Sequence, residues 1–362
     1  MEFGLSQEQT MLQDSLTRFL GDSGSLARAR VFNANNEGRA PDVLAGLAEL
    51  GVTGLIIPEE HGGVGLGLLD AALVSEVLGR HVTPAPFIGS SVLAPLALMR
   101  AGSAGQQAVW LPKLASGAAV AGVALSEATG ARENAGVTAS GGRLSGRALF
   151  VIDFEADVYV VADKAGGLHL VAADAKGLTR TRLPTIDTTR PVGELNFDNV
   201  EAEPLAAAAD SAAVVRFLID TGRVMYAADT LGAASAMIDQ AVAYAKERKQ
   251  FERAIATFQA VKHMCAEMAA ALEPCRSLVW YAGHALESLP AEASVTACHA
   301  KAHTSEVGTR VAKTATEVHG GMGFTDLVGL HYWFKRIGLN RQMLGGPEAV
   351  REDAARLQAL AA

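Results

Sequence analysis

Apolar residues recur at helical spacing towards both ends of this chain and collapse into short runs only in its middle. Ser6, followed by Glu8 and Gln9, opens an amphipathic stretch carrying Met11, Leu12, Leu16, Phe19 and Leu20, which predicts a capped helix. Val43, Leu44, Leu47 and Leu50 predict another, stopped at Gly51. A glycine-rich loop from Pro58 to Gly67 precedes a further helix over residues 70–78. In the last third, one long periodicity spans residues 212–249 through Val215, Leu218, Ile219, Met225, Leu231, Ile238, Ala241 and Tyr244. Helices are also predicted over 258–288, 291–318 and 347–360, and Trp333, Phe334, Lys335 and Arg336 predict a packed helix with a basic edge.

Between these helical regions the period changes. Residues 120–125, 148–152, 158–161 and 168–171 are short apolar runs bounded by Gly, Asp and Ser, the pattern of strands in a small β-sandwich or barrel. Gly141 and Gly142 suit a two-residue hairpin turn. The order of helices, strands and helices predicts an α+β fold. Its expected parts are an N-terminal helical domain (1–118), a middle β domain (119–208) and a C-terminal helical bundle (209–362).

Composition narrows the function classes. Among 362 residues, 49% are hydrophobic and only 6% aromatic, with 37 glycines, which suggests a large core of closely packed helices. No run of eighteen apolar residues appears, so no membrane span is expected. The first residues offer neither a basic region nor an apolar run, so no secretory leader is expected. Three cysteines, Cys265, Cys275 and Cys298, are odd in number and fit a reducing cytoplasm. The formal charge of -8 is spread without long blocks, which argues against nucleic acid as a partner. A local anion site built from arginines and helix ends is still compatible with it.

Several small motifs read as structure. The close glycines of the 58–67 loop lack the βαβ setting of a dinucleotide fingerprint and suit a turn between crossing helices. His299 and His303 have metal-pair spacing but no third ligand beside them on the same face, and read as a satisfied or exposed pair. No Ser-His-Asp or Cys-His order stands out.

Two segments carry more. Arg248-Lys-Gln-Phe-Glu-Arg-Ala-Ile-Ala-Thr-Phe-Gln259 and Glu317-Val-His-Gly-Gly-Met-Gly-Phe324 closely resemble paired elements of the acyl-CoA dehydrogenase family. The resemblance extends through the Pro58–Gly67 loop, Leu125-Ser-Glu127 and the helical last third. It implies a helical N-terminal domain, a middle β-sandwich and a C-terminal four-helix bundle, assembled as dimers or dimers of dimers around FAD. In that family these elements hold the adenosine-diphosphate half of a flavin seated mainly in the neighbouring subunit. The positions carried over are Arg248, Gln250, Phe251, Phe258, Gln259, Glu317, Gly320 and Gly321. The chemistry agrees: a pyrophosphate needs cationic or N–H donors, and glycine lets backbone approach a ligand.

The departures matter as much. Glu317 stands where the family has glutamine. The middle element Thr-Glu-Pro-x-Ala-Gly-Ser-Asp reads Ser126-Glu-Ala-Thr-Gly-Ala-Arg-Glu133, with Arg132 and Glu133 in place of serine and aspartate. The flavin-facing Trp-x-Thr reads Phe150-Val-Ile152, and an isoleucine cannot donate the hydrogen bond a threonine can. Removing the α-proton of an acyl thioester needs a positioned carboxylate. Family members place it at one of two positions, which align here with Gly345 and Gly222. Asp220 lies two residues from Gly222, about 200° round a helix. Glu348 falls in the first turn of a helix after Pro347, where it suits the dipole.

The chain therefore resembles the subunit without a catalytic glutamate of bacterial heterotetrameric (α2β2) acyl-CoA dehydrogenases, such as those acting on steroid side chains. The resemblance implies a catalytic partner subunit that binds the acyl-CoA, and electron-transfer flavoprotein as acceptor. Two other readings stay open: an autonomous homo-oligomeric enzyme using Asp220 or Glu348, and a flavin-fold protein with other chemistry such as monooxygenation.

Overall fold

The computed structural model describes residues 4–23, 25–125, 135–206 and 209–360. Six helices precede the strands: α1 (Gln7–Asp22), α2 (Ser25–Ala34), α3 (Pro41–Glu49), α4 (Leu68–Arg80), α5 (Ala94–Ala101) and α6 (Ala104–Ala115). The expected start of α1 is a capping box. Gln9 N–H donates to Ser6 Oγ at 3.1 Å, and Ser6 N–H donates to the Gln9 side-chain oxygen at 3.0 Å. A π-helical turn, Ile88–Leu93, leads directly into α5.

The middle of the chain forms two four-stranded sheets, and neither closes into a barrel. The first joins β1 (Ala121–Ala124), β4 (Val158–Ala162), β5 (Leu168–Ala172) and β8 (Glu203–Pro204), with β1 parallel to β4. The second joins β2 (Gly136–Ser140), β3 (Arg143–Val151), β7 (Gly193–Glu201) and β6 (Leu178–Arg182). Gly141 and Gly142, at φ 57° and 75°, make the expected hairpin turn between the paired Ser140 and Arg143. Strand β4 is buried on both faces. Val158 and Val160 face the main helical core, while Tyr159 and Val161 face the core between the sheets. That double burial explains an unbroken apolar run without alternation. β6 and β7 were not expected: β6 is mostly exposed and polar, so its sequence carries no apolar run.

Five further helices complete the fold: α7 (Ser211–Glu247), α8 (Gln259–Ser288), α9 (Pro290–His319), α10 (Leu330–Gln342) and α11 (Pro347–Leu357). Asp210 caps α7 by accepting the Ala213 N–H at 3.0 Å. α4 crosses α7 at backbone contact. A Cβ on Gly79 would lie 2.0 Å from Asp229 O, and one on Gly232 1.8 Å from Glu76 O. Only glycine permits this approach.

The crossing encloses a polar knot. The guanidiniums of Arg190 and Arg336 donate to Asp229, as does Asn340 Nδ2 at 2.6 Å. Arg336 also donates to Thr189 Oγ1 at 2.8 Å and to Thr83 O at 3.0 Å. The basic edge expected of α10 is thus corrected at Arg336, which is fully buried. A helix period places a side chain on a face, but the face had a buried acid waiting for it. Residues from all three parts of the chain meet here, which fixes α10 against α7. No helix among the described residues is long and apolar enough to cross a membrane.

Candidate functional site

The residues singled out by the sequence gather at two places on the bundle, one near each end of α7. From Gly222 to the end of the helix is roughly 40 Å at about 1.5 Å per residue.

At the far end, α7 stops at Arg248, whose N–H still donates to Tyr244 O at 2.8 Å. A minimal hairpin follows, β9 (Lys249–Gln250) pairing with β10 (Arg253–Ala254). Its two turn residues, Phe251 and Glu252, hold φ of 52° and 64°. This is the handedness a two-residue hairpin demands, imposed on side chains that disfavour it. The result projects Phe251 into solvent at 86% exposure. Phe258 meets it edge-to-face at 6.2 Å, and the Arg253 guanidinium lies 4.0 Å above the Phe258 ring.

The glycine turn closes the same end. His319, the last residue of α9, stacks on Tyr244 at 4.6 Å and bonds Ala315 O through Nδ1 at 2.7 Å. Gly320 follows at φ 58°, ψ −140°, a conformation essentially reserved for glycine. Around Gly320 and Gly321 nothing lies within 4 Å of where a Cβ would be. Arg248, Gln250, Gln259, Glu317, Gly320 and Gly321 are all exposed, and Phe258 is half-buried. All eight expected cofactor positions therefore belong to one solvent-facing end. Arg253, Tyr244 and His319 lie there too; His319 adjoins the glycine turn in sequence, but Arg253 and Tyr244 were missed, because stacking partners have no sequence spacing of their own. The surface offers a free cation, neutral amides, flat aromatic faces and unobstructed backbone. Those are groups that suit an adenine-pyrophosphate half of a flavin, while the exposed carboxylates of Glu317 and Glu252 are of the wrong charge for it.

At the other place, the two positions that align with family bases converge. A Cβ on Gly222 would sit 2.4 Å from Leu344 Cδ1 and 3.4 Å from Leu93 Cδ1. Leu344 fills that space, is 2% exposed and takes φ of 55°. Gly345 follows at φ 103°, where any side chain is strained. Its Cβ would lie 3.1 Å from Val350 Cγ2 and 3.7 Å from Arg223 Nη2.

Below this turn lies a network of ions. Arg223 donates through Nε to Leu344 O at 3.1 Å and through Nη1 to Asp353 Oδ2 at 2.6 Å. Arg216 holds Asp353 with bonds of 2.9 and 3.0 Å, and its Nε donates to Asp220 Oδ2 at 2.8 Å. Ser294 Oγ donates to the same Asp220 oxygen at 2.6 Å. Burial pushes the Asp220 carboxyl up, with Arg216 opposing it. Burial also raises Asp353, but bonds from Arg223 and Arg216 win and hold it below the usual range. Cys298 lies against both guanidiniums at 3.3 and 3.7 Å, and burial pushes its thiol up to about 11. A cleft of about 490 Å³, lined by Val215, Ile219, Arg216, Arg223, Gly345 and Asp353 among others, opens beside this network.

The two carboxylates kept as alternatives are both held by arginines. Asp220 is buried within the ion network, as its angular offset from Gly222 predicts. Glu348 has a side chain 73% exposed in the first turn of α11, and it accepts from Arg341 at 2.8 Å. Backbone N–H at the helix start, then Arg341, hold it below its ordinary value. Ile152 is buried, its backbone bridged to Val123 by two 2.9 Å bonds, and its side chain offers no donor to a flavin. Ile152 therefore departs from the threonine-bearing pattern of the family. The element from Ser126 to Glu133 lies outside the described residues. His299 and His303 are exposed on α9.

Comparison with known proteins identifies the family. Residues 6–118 match the family described as acyl-CoA dehydrogenase, N-terminal domain, and residues 212–358 match acyl-CoA dehydrogenase, C-terminal domain. The chain is 30% identical to acyl-CoA dehydrogenase IpdE2 of Mycolicibacterium smegmatis, covering 98% of this chain and 99% of that protein. Among solved structures it is similar to a variant of the Tcur3481-Tcur3483 steroid ACAD, with TM-score 0.88, 31% identity and 98% coverage of both chains. It is similar also to a chain of the ChsE4-ChsE5 complex from Mycobacterium tuberculosis, with TM-score 0.88, 26% identity and 99% coverage of both. The chain belongs to the acyl-CoA dehydrogenase family.

Proposed function

We propose that this chain is the base-lacking subunit of a heteromeric, FAD-dependent acyl-CoA dehydrogenase. The observation that carries the reading is the turn at Leu344 and Gly345. Both positions where the family keeps a carboxylate are glycine here, one filled by Leu344 and the other at a φ that disfavours any side chain. Asp220 and Glu348 are each engaged by an arginine, Arg216 and Arg341. A lost side chain alone could be restored by one substitution; here the backbone and its neighbours have adapted to the loss.

The intact end gives the chain its role. Arg248 and the Gly320–Gly321 backbone would hold the pyrophosphate of a flavin whose ring lies in the partner subunit. Phe251 and Phe258 would flank the adenine, and Gln250 and Gln259 would supply neutral donors. When bound, the flavin accepts the hydride that leaves the acyl β-carbon. The partner would supply the base and the acyl-CoA pocket, with electron-transfer flavoprotein as acceptor, in a cytoplasmic α2β2 assembly. Similarity to chains of the steroid ACAD and of the ChsE4-ChsE5 complex favours this quaternary arrangement, and a bulky steroid side-chain thioester as substrate.

The test is purification of this chain alone and with its partner, followed by flavin spectra and an acceptor-dye assay. The expected result is a single flavin per heterodimer, with turnover only in the complex. Stoichiometric flavin with turnover in the isolated chain overturns the reading.

A further inference from the structure

Lys301 is fully buried on α9 and takes no part in either site. Its Nζ donates to Asn340 O, to Arg341 O at 3.1 Å, and contacts Ser305 Oγ at 3.5 Å. The two carbonyls are the final acceptors of α10, immediately before the turn that carries Leu344 and Gly345. They belong to the negative end of that helix. The charges facing Lys301 are of its own sign: Arg223 from α7 and Arg341 from α10. From α11, Asp353 is bound by Arg216 and Arg223; from α7, Asp220 is bound by Arg216 and Asp229 by Arg190 and Arg336. Among the described residues no carboxylate bonds Lys301.

A buried ammonium without a counter-ion is costly. The three neighbours suit the neutral amine equally well. Two N–H groups serve two carbonyls, which can only accept, and the nitrogen lone pair can accept the Ser305 hydroxyl. The neutral amine leaves no donor unpaired. The charged one keeps its bonds but is met only by the partial negative end of α10, so protonation favours a state in which the turn moves and lets water reach the ammonium.

We propose that Lys301 is a proton-operated latch on the α10–α11 turn, which is held shut over the neutral amine and opens when the amine takes up a proton from solvent. Burial, then Arg223 and Arg341, push Lys301 down to about 7, which places the switch near neutrality. The sign follows from linkage. The closed form has the depressed value and the opened form the ordinary 10.5, so closure strengthens as pH rises above about 7 and is weakest below it. Opening would release Leu344 from Gly222 and Arg223 from Leu344 O. The proposal is independent of whether a partner supplies the base.

Amide hydrogen exchange of residues 342–346 in the full-length protein, normalised to intrinsic rates, tests it between pH 6 and 9. Protection should be flat below about 7 and then rise up to about tenfold per pH unit, with amides of α8 as the internal control. Lys301→Met should abolish the slope and raise protection at pH 6. Lys301→Arg, charged throughout, should leave the turn weakly protected at every pH. A flat wild-type profile, or a Met variant that keeps the wild-type slope, overturns the latch. Should the Met variant fail to fold, the wild-type and Arg profiles decide: a slope shared by both overturns it, and a slope in wild type alone supports it.

Discussion

At its C-terminal end α7 runs out into a hairpin that exposes Phe251 and Arg248, supported by backbone in a disfavoured conformation. Around Gly222 and Asp229 the same helix is enclosed by leucines and buried ion pairs. Both places hold residues singled out by the family resemblance, yet one is open and the other filled. The first keeps cation, aromatic faces and open glycine backbone at a cost in strain. The second has filled its space, Leu344 packing where a side chain on Gly222 would stand. Strain kept at an exposed end, where relief would be easy, points to a ligand outside the chain. Leu344 packed over Gly222 fits the proposed base-lacking role, in which this place serves structure alone.

If the enclosed end is structural, its largest contribution should be to stability. Asp229→Asn leaves Arg190 and Arg336 buried without their shared carboxylate. Removing one member of a buried ion pair costs about 3–5 kcal/mol, measurable by urea unfolding. Burial alone would raise the Asp229 carboxyl, but Arg190 and Arg336 outweigh it and depress it. Its stabilisation is therefore fully present above the unfolded carboxylate value and lost as pH falls from there through the depressed folded value. The Asn variant should show a flatter acid limb.

Leu344→Ala should cost about 2–5 kcal/mol by opening a cavity over Gly222. Gly222→Ala is expected to destabilise by overpacking against Leu344, since the new Cβ meets it at 2.4 Å. In the double variant each change relieves the other, so the pair should be non-additive by more than about 0.5 kcal/mol. Strict additivity would mean that Leu344 does not occupy the base position in solution, and the contrast between the two ends would weaken.

How far the sequence revealed this contrast follows from the kind of signal each part leaves. The long helices and the Gly141–Gly142 hairpin were legible because period and turn chemistry are local. The exposed end was legible because Arg248, Phe258 and Gly320 stand in a recognisable pattern. The enclosed end was half legible: two glycines showed what was missing, but nothing showed that Leu344 fills the gap. That contact joins residues 222 and 344, which no window spans. Arg336 was misplaced for the same reason, since its partner Asp229 lies on another helix. Polar edge strands such as β6 escaped because exposure removes the apolar pattern that marks a strand.

A change at the open end should read differently. Arg248→Ala in the partner complex should weaken flavin retention about 10–100-fold, the loss of a charge-assisted bond worth roughly 1.5–3 kcal/mol. Unfolding of this chain should shift by less than about 0.5 kcal/mol, because the side chain is exposed. Flavin titration of the complex, beside urea unfolding of the chain, separates the two. Unchanged flavin affinity would remove the distinction between the ends.

The finest test exploits the hairpin strain itself. Replacing Phe251 and Glu252 by Asn and Gly supplies residues that accept positive φ at both turn positions. If the present residues are retained only for the fold, this exchange should improve the chain at no expense. If Phe251 is kept for a flavin held by the partner, the exchange should separate stability from binding. We expect the variant to gain about 1 kcal/mol in unfolding free energy. The complex should lose flavin affinity by about tenfold, as expected when one aromatic stacking face worth roughly 1–3 kcal/mol is removed. A stabilised chain with undiminished flavin binding would show that the strained Phe251 serves neither purpose, and would leave Arg248, Phe258, the two glutamines and the glycine turn to distinguish the open end.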